Sequence, residues 1–426
     1  MKLVVYSHDA FGLGNIRRMM AICEHLLTSV PNLSILLISG SPVLHRFRTP
    51  TGLDYIKLPC VGRNRTGEVS AKFLGIDAQT AVKLRSNLIQ TAVAHFEPDL
   101  LLVDKKPYGL QGELTDTLAW LRIHLPDTPC VLLLRDIIDR PVVTIAEWRR
   151  LGYVEAIANL YRQVLVLGTP EVFDLSAEYQ LPTAAAQKVR FCGYIRKPPG
   201  NHSAEAMRHA LGVQSDEQLV LVTPGGGEDG DYLIETYLAG LAHLPPEYNK
   251  IHSVVICGPE MPYAKRQVLC QAAAANPKVQ MLEFTDDLMS YMGAADSVVS
   301  MGGYNTTCEI LSLVKRAVVV PRVSPVQEQW IRAKRLAELG LLRVIHPDQL
   351  TPETLMQALM AQLNPDTGDN ANTTFNLNAL PRLTQHLLEL LPQQNESCVL
   401  PPFTPPAPEP PPLITATSAC PLRACL

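Results

Sequence analysis

Short apolar runs alternate with helix-like segments along most of the chain, and they fall into two series. The runs are rich in Val, Ile and Leu, which is typical of strands buried on both faces of a parallel sheet. Segments between them, such as 78–95 and 112–124, have the apolar spacing of amphipathic helices. The first series predicts about seven strands, at residues 2–6, 33–39, 55–58, 100–103, 130–134, 163–167 and 189–192.

A stretch rich in Pro and Gly, residues 193–203, separates the two series. The alternation then restarts, with strands predicted at 218–223, 253–257, 279–281, 297–301, 317–320 and 342–345. Two such series predict an α/β protein with two Rossmann-like domains and mostly parallel sheets. We expect an N-terminal domain at 1–195, a linker at 196–204 and a C-terminal domain at 205–375.

The end of the chain changes character twice. Residues 376–391 include the apolar pattern of one more amphipathic helix. From 392 to 426 the chain is Pro-rich, and such a composition cannot form a packed core. We therefore predict a disordered tail at 392–426 that takes no part in the site.

Composition narrows the functional classes. The formal charge of −4 gives no electrostatic reason to expect a nucleic-acid partner. The ten cysteines are scattered, without a Cys-x-x-Cys pair or a zinc-like cluster, so we expect neither a metal nor a cofactor. The apolar run at the N-terminus is too short for a signal peptide, and no segment reaches membrane-spanning length. We expect a cytoplasmic protein, with at most peripheral contact with the inner face of a membrane.

Three glycine turns follow predicted strands and precede predicted helices. Helix N-termini carry unpaired N–H groups and a partial positive charge, so a glycine turn there lets a phosphate approach the backbone. The second turn also contains acids, Glu228, Asp229 and Asp231, which would repel phosphate unless they meet hydroxyls, helix N–H groups or solvent. The glycines proposed to face a ligand are Gly12, Gly14, Gly226, Gly227, Gly302 and Gly303.

The helix predicted after the third turn has one polar face. Asn305, Glu309 and Ser312 are spaced so that they share this face. It would present polar groups beside a phosphate site. The residues expected to point into the core instead are Ile310, Leu311 and Val314.

The order of short motifs around this helix resembles a known family. Glu-Phe-x-Asp-Asp at 283–287 is followed by Ala-Asp-x-Val-Val-x-x-Gly-Gly at 295–303, Glu-Ile at 309–310, Val-Pro at 320–321 and Gln-x-Gln at 327–329. This order resembles the donor domain of family 28 glycosyltransferases, a bacterial family with the GT-B fold. The resemblance implies two facing Rossmann-like domains, a nucleotide sugar on the second and an acceptor on the first. It also implies that the last helix returns to the first domain.

The same resemblance implies a role for each matching residue. Glu309 would accept both ribose hydroxyls, and the backbone at Phe284 and Thr285, with Leu288, would favour uracil or thymine. The glutamines after the Val-Pro strand would bind the sugar, although a solvated first helical turn is the alternative. The residues implied to hold the diphosphate are Gly302, Gly303, Asn305, Thr306 and Thr307, and those implied to hold the sugar are Gln327, Glu328 and Gln329.

The general base is the least defined part of the predicted site. Relatives often carry a histidine in the first glycine loop, where this chain has Asn15, which cannot accept a proton but can donate a hydrogen bond to phosphate. His8 and Asp9, after the first strand, are the nearest substitutes. Asp104 and Asp136 also follow strands, so each is either an acid at the rim of the cleft or a cap of the next turn.

The sequence therefore favours an inverting, metal-independent hexosyltransferase that uses a nucleotide sugar, with UDP as the expected nucleotide. Two alternatives remain open: a nucleotide-sugar 2-epimerase on the same fold, and a nucleotide-sugar-binding protein without catalysis. The turn at 302–307 lacks the paired acids of such epimerases, whereas Asn15 supports a non-catalytic protein. The acceptor is open, either a small molecule or a lipid-linked one that would use an apolar, basic patch such as 44–48 with Arg63 and Arg65.

Overall fold

The computed structural model describes residues 1–8, 14–63, 69–245, 250–364 and 375–391. Met1–Leu391 belongs to one compact unit. Several predictions fall outside the described residues, namely those for Asp9, Gly12, Arg65 and the Pro-rich tail at 392–426. The predicted domain boundaries stay predictions.

The N-terminal half contains a sheet of seven parallel strands, as the sequence predicts, and a short antiparallel hairpin, β4–β5, that the sequence analysis did not find. Each hairpin strand has three residues, too few to show an apolar period. The strands are β1 (Lys2–Ser7), β2 (Ser34–Ser39), β3 (Leu53–Lys57), β4 (Val61–Arg63), β5 (Val69–Ala71), β6 (Leu100–Asp104), β7 (Cys130–Arg135), β8 (Gln163–Leu167) and β9 (Val189–Phe191).

Strand β1 lies in the middle of the first sheet, in the order β3-β2-β1-β6-β7-β8-β9. Its residues Leu3 to Tyr6 are fully buried because helices cover both faces. Burial of each such aliphatic side chain stabilises the fold by about 1.5–3 kcal/mol. The helices of this half are α1 (Gly14–Ser29), α2 (Ala78–Phe96), α3 (Thr115–His124), α4 (Pro141–Arg150), α5 (Tyr153–Leu160), α6 (Leu175–Glu178) and α7 (Thr183–Ala186).

The C-terminal half contains a second parallel sheet, and all six strands predicted for it are present. Its strands are β10 (Gln218–Thr223), β11 (Ile251–Ile256), β12 (Val279–Leu282), β13 (Ser297–Ser300), β14 (Arg316–Val319) and β15 (Arg343–Val344), in the order β12-β11-β10-β13-β14-β15. Its helices are α8 (Ala204–Ala210), α9 (Asp231–Ala242), α10 (Tyr263–Ala273), α11 (Leu288–Ala294), α12 (Tyr304–Ser312), α13 (Glu328–Glu338) and α14 (Pro352–Leu363).

The last described helix, α15 (Ala379–Leu388), contacts α1 of the N-terminal half. A bridge between Ile195 and Asn378 leads into it, and the N–H of Ala379 donates to the carbonyl of Tyr194 at 3.2 Å. The buried side of α15 carries Leu383 and Leu387. These contacts tie the end of the described chain to the first sheet.

Val314 does not point into the core as the helical spacing predicted. Helix α12 ends at Ser312, and Val314 has a φ of +50° and a side chain that is 83% exposed. The N–H of Lys315 donates to the carbonyl of Ile310 at 3.0 Å, which closes the helix through a left-handed residue. The prediction was correct for Ile310 and Leu311, which are buried.

A buried ion pair joins the two halves of the chain. Asp136, after β7, accepts from Nε of Arg332 at 2.6 Å and from its Nη2 at 2.7 Å, and both side chains are fully buried. The hydroxyl of Tyr194 also donates to Asp136, at 2.6 Å. Beside this pair, Arg135 binds both carboxylate oxygens of Glu328, at 2.6 and 2.9 Å.

Aromatic side chains close the same junction. Tyr304, at the start of α12, donates its hydroxyl to the carbonyl of Leu167 in the first sheet at 3.1 Å. Its ring stacks on that of Tyr194, with centroids 5.7 Å apart, and the guanidinium of Arg332 lies 5.4 Å from its centroid. The junction therefore excludes water from the Asp136–Arg332 pair.

We expect Arg332→Ala to lower the free energy of unfolding by about 3–5 kcal/mol, because Asp136 would remain buried without its guanidinium partner. Lys83→Ala is the control, since Lys83 and Asp116 form a pair whose side chains are 66% and 51% exposed. The control should change the free energy by less than about 1 kcal/mol. Urea unfolding followed by tryptophan fluorescence measures both, and equal effects would contradict the role assigned to Arg332.

Candidate functional site

The turn between β13 and α12 is built to expose backbone at a helix start. Gly302 has a φ of +63°, and a Cβ there would lie 2.5 Å from Cγ1 of Val319, so only glycine fits. Its N–H donates to Oγ of Ser300 at 2.9 Å, and Oγ1 of Thr307 donates to its carbonyl at 3.2 Å. Gly303 is the N-cap residue of α12, and it has no side chain to accept a hydrogen bond from the first N–H groups of the helix. The first N–H groups of α12 can therefore face an anion.

Glu309 lies on the same helix, one turn beyond Asn305. Burial raises the pKa of its carboxyl group to about 7, against the opposing charges of Lys197 and Arg17. Among the described residues, none hydrogen-bonds this carboxylate. A half-buried carboxylate without a hydrogen-bond partner can accept hydrogen bonds from a ligand, as its expected role with ribose hydroxyls requires.

The second glycine turn, between β10 and α9, is held in place by close backbone packing. Gly227 has a φ of +93°, and a Cβ there would overlap the carbonyl oxygen of Cys257. A Cβ on Gly226 would lie 2.7 Å from Oε2 of Glu260, so both glycines let other groups approach the backbone. The turn faces α12, because a Cβ on Gly225 would lie 3.8 Å from Oγ1 of Thr306.

Cations neutralise two of the three acids in this turn. Asp229 accepts from Nε of Arg322 at 2.7 Å and from its Nη2 at 2.5 Å. Asp231 pairs with Lys265 at 2.6 Å. The sequence analysis considered hydroxyls, helix N–H groups or solvent as partners, but not these cations. Their charge reduces the repulsion that an anion would meet at this turn.

The segment predicted to face the nucleobase contacts the N-terminal half of the chain. Phe284 is 46% exposed, and the guanidinium of Arg17 in α1 lies 5.9 Å from its ring centroid. Oγ1 of Thr285 accepts from the N–H of Asp287 at 3.1 Å, just before Leu288 begins α11. Phe284 thus presents an accessible ring at the opening between the halves.

The start of α1 meets α12 across the same opening. Nδ2 of Asn305 donates to the carbonyl of Gly14 at 3.3 Å, and its buried Oδ1 has no hydrogen-bond partner among the described residues. Asn15 donates to the carbonyl of His8 at 2.7 Å and accepts from Nη2 of Arg18 at 3.3 Å. The structure therefore brings Gly14, Asn15 and Asn305 together.

The two arginines at the start of α1 differ in environment. Arg18 is buried and pairs with Asp104, with 2.9 Å between Nη2 and Oδ1, whereas Arg17 is exposed beside Phe284. The charge of Arg18 is therefore matched by Asp104.

His8 lies at the carboxyl end of β1 with its ring buried. Its backbone N–H donates to Oδ2 of Asp104 at 3.3 Å, and Nδ1 has no hydrogen-bond partner among the described residues. Burial, followed by the charges of Lys105 and Lys106, lowers the pKa of His8 well below its usual value. The imidazole is therefore neutral at pH 7, but its low pKa makes it a weak base.

The two strand-end acids do not stand at an open rim. Asp104 and Asp136 are 1% and 0% exposed, and each binds an arginine. Oδ1 of Asp136 also accepts the N–H of Ile137 at 2.8 Å, so Asp136 caps the next turn, which was the alternative to a role at the rim. Sequence position alone predicted the strand ends correctly but could not show the arginines that reach them.

The predicted sugar-binding residues also differ from expectation. Glu328 is buried against Arg135, and Oε1 of Gln329 accepts from the N–H of Arg322 at 3.0 Å, so both support the protein rather than face an open site. The backbone N–H of Gln327 donates to Oδ1 of Asp139 at 2.9 Å. Gln327 is half-buried at the start of α13.

Lys105 was not among the predicted site residues, and its geometry is unusual. It follows β6 directly and has a φ of +73°, unusual for a residue with a side chain. Burial lowers the pKa of its amine to about 8, with Arg135 acting in the same direction. The stretch Asp104-Lys105-Lys106-Pro107 contains no glycine or asparagine, so no local pattern indicates a left-handed residue here.

The described residues contain no group of three His, Cys, Asp or Glu side chains arranged to hold a metal ion. Within the same residues, none of the helices combines the length and apolar character needed to cross a bilayer.

Comparison with protein families finds a match in the C-terminal half. Residues 219–387 match the Glycosyltransferase family 28 C-terminal domain. Over 179 residues the chain is 28% identical to the UDP-N-acetylglucosamine--N-acetylmuramyl-(pentapeptide) pyrophosphoryl-undecaprenol N-acetylglucosamine transferase of Acinetobacter baumannii. The match covers 42% of this chain and 48% of that protein, so the chain spans about half the length of this relative.

Solved structures share the whole two-sheet arrangement. Acinetobacter baumannii MurG aligns with a TM-score of 0.57 and 17% identity over 92% of this chain and 98% of that one. A putative UDP-N-acetylglucosamine 2-epimerase from Listeria monocytogenes aligns with a TM-score of 0.59 and 13% identity over 91% and 96%. These similarities confirm the predicted GT-B fold.

The raised pKa of Glu309 predicts a stability that depends on pH. The folded chain keeps this proton up to about pH 7, whereas the unfolded chain loses it near pH 4.5, so wild-type stability falls as the pH rises through that window. Glu309→Gln should therefore raise the free energy of unfolding by about 1–3 kcal/mol at pH 8 and change it little at pH 5. Denaturant unfolding at both pH values measures this.

The control for this experiment is Glu171→Gln, because Glu171 is exposed. Its effect should be the same at pH 5 and pH 8. A Glu309→Gln variant that is no more stable than wild type at pH 8 would contradict the raised pKa of the Glu309 carboxyl group.

Proposed function

We propose that this chain, which carries the C-terminal domain of glycosyltransferase family 28, transfers a hexosyl group from a nucleotide sugar to an acceptor hydroxyl. UDP is the proposed nucleotide, and the reaction inverts the anomeric carbon in one displacement without a metal ion. The observation that carries this proposal is the carboxylate of Glu309, which is half-buried and has no hydrogen-bond partner among the described residues, on the same helix as the exposed N–H groups at the start of α12.

Three features of the donor half support a bound nucleoside diphosphate. The N–H groups at the starts of α12 and α9 offer hydrogen bonds and positive potential to the two phosphates. The carboxylate of Glu309 takes the paired ribose hydroxyls, and the exposed ring of Phe284 lies beside the base. Because these N–H groups are fixed before reaction, they stabilise the charge of the departing diphosphate without reorganisation.

A lipid-linked acceptor is supported by the pyrophosphoryl-undecaprenol for which the Acinetobacter baumannii relative is named, and by the surface of the N-terminal half. Phe73, Leu74 and Ile76, which follow β5, are 68%, 46% and 36% exposed, and the amine of Lys72 lies 5.4 Å from the ring centroid of Phe73. Exposed apolar side chains beside a cation suit an anionic membrane surface. Leu44 of the originally expected patch is instead 1% exposed and belongs to the core.

The epimerase remains the second candidate because a 2-epimerase shares the fold. The turn Gly302-Gly-Tyr-Asn-Thr-Thr307 argues against it, since it lacks the paired acids expected of such an epimerase. A non-catalytic nucleotide-sugar-binding protein is the third candidate, because Asn15 is engaged with His8 and Arg18 and cannot accept a proton.

We expect calorimetry to show binding of UDP in preference to dTDP, GDP and ADP. Glu309→Ala should weaken UDP binding by about 10- to 100-fold, because hydrogen bonds from two hydroxyls to a charged group are lost. Glu171→Ala, at an exposed position, should leave the affinity unchanged. Failure to bind any of the four nucleotides would overturn the proposed donor.

The reaction products distinguish the three candidates. Incubation with UDP-N-acetylglucosamine and an acceptor panel, analysed by mass spectrometry and NMR, should give UDP and a β-linked glycoside, with the same yield when EDTA is present. A C2 epimer without a new glycoside would favour the epimerase. Binding without either product would favour the non-catalytic protein.

The proposed membrane contact predicts binding to anionic vesicles. The double variant Phe73→Ser with Leu74→Ser should reduce co-sedimentation with phosphatidylglycerol-containing vesicles by about tenfold, since it removes two apolar side chains from the contact. Val268→Ser on α10 is the matched control, because Val268 is 64% exposed on the other half of the chain. Equal vesicle binding by the wild type, the double variant and the control would show that Phe73 and Leu74 do not form the membrane contact.

A further inference from the structure

The proposed transfer needs a group that removes the acceptor proton. Three described acids near the cleft, two at strand ends and one at the start of α13, are held in ion pairs. Asp104 binds Arg18, Asp136 binds Arg332, and Glu328 binds Arg135. Asn15 has no proton-accepting group of useful basicity. A base must therefore come from a residue at the cleft whose side chain is not held in an ion pair.

Lys105 occupies the appropriate position in the first sheet. Tyr6 of β1 is in register with Val103 of β6, so His8 and Lys105 each follow two residues later on neighbouring parallel strands. Neighbouring strands lie about 4.8 Å apart, and ligands of open α/β sheets bind beyond their carboxyl ends. Lys105 thus stands beside His8 at the edge of the sheet that faces the donor half.

The backbone holds Lys105 in an uncommon conformation. Its φ of +73° is maintained by an N–H bond to the carbonyl of Leu133 at 2.8 Å, and the N–H of Lys106 donates to the carbonyl of Asp104 at 2.9 Å. The hydroxyl of Tyr161 donates to the carbonyl of Pro107 and fixes the end of this turn. Strained residues held in this way are concentrated at functional sites.

The surroundings of the amine favour its neutral form. Burial is the largest influence, the positive charges of Arg135 and Lys106 add to it, and the negative charges of Glu328 and Asp104 oppose it. The neighbouring His8 ring is neutral. Among the described residues, none accepts a hydrogen bond from Nζ of Lys105, whereas Nζ of Lys106 is bound to Glu147 at 3.0 Å.

We propose that Lys105 is the general base of the glycosyl transfer, an inference that rests on the function proposed above. The neutral amine takes the proton of the acceptor hydroxyl while the acceptor oxygen forms a bond to the anomeric carbon. The bond from that carbon to the diphosphate breaks, and its electron pair leaves with the nucleoside diphosphate. Lys105 becomes an ammonium ion and returns its proton to solvent.

The decisive variants are Lys105→Met and Lys105→Arg. Both should reduce kcat by at least about 100-fold, because neither side chain accepts a proton at neutral pH. UDP affinity by calorimetry should change by less than about threefold. The reaction is followed as UDP release from UDP-N-acetylglucosamine, with undecaprenyl-pyrophosphoryl N-acetylmuramyl-pentapeptide as the acceptor and with water alone.

The pH profile adds a signature that a structural role would not produce. Wild-type kcat should rise about tenfold per pH unit on the acid side and level off at or above about pH 8, since the bound diphosphate favours the ammonium form. Lys105→Ala should regain part of its kcat with added ethylamine. The control Lys83→Met, at a lysine whose side chain is 66% exposed, should keep kcat within about twofold.

Two results would overturn this role. A Lys105→Arg variant that keeps most of the wild-type kcat, or a wild-type kcat that falls above pH 8, would make Lys105 a cation that stabilises the diphosphate. Absence of UDP binding and of UDP release in the wild type would instead overturn the donor function itself, so the two failures are distinguishable.

Discussion

The ion pair between Asp136 and Arg332 is the interaction on which the arrangement of the two halves depends. It joins the carboxyl end of β7 to α13, with both side chains fully buried. A bidentate geometry and the hydroxyl of Tyr194 satisfy the carboxylate, so the desolvation of the charges is offset by short hydrogen bonds. Removal of either side chain would leave the charge of the other unpaired in the interior.

This junction sets the distance across the cleft. The bonds from Tyr304 to Leu167 and from Asn305 to Gly14 both start from α12, which also carries Glu309. The polar face of α12 is therefore positioned against the start of α1 by contacts with the N-terminal half. Unfavourable features, such as the unpartnered carboxylate of Glu309 and the left-handed backbone of Lys105, persist because the surrounding contacts fix the fold.

The strands of both sheets could be predicted because parallel, fully buried strands are continuous apolar runs. The polar face of α12 followed from helical spacing, but Val314 did not, since the end of that helix depends on a left-handed turn. The partners of Asp104 and Asp136 come from positions 18 and 332, and no local pattern encodes such pairings. Resemblance likewise could not show that Glu328 and Gln329 are engaged within the protein.

Asn15 has a structural role that suits its amide group. The amide donates to the carbonyl of His8 and accepts from Arg18, so one planar group links the end of β1 to the buried pair of Arg18 and Asp104. This amide does not accept a proton at neutral pH. The proposed transfer therefore needs another residue as its base, and we propose Lys105, which follows β6, the strand beside β1.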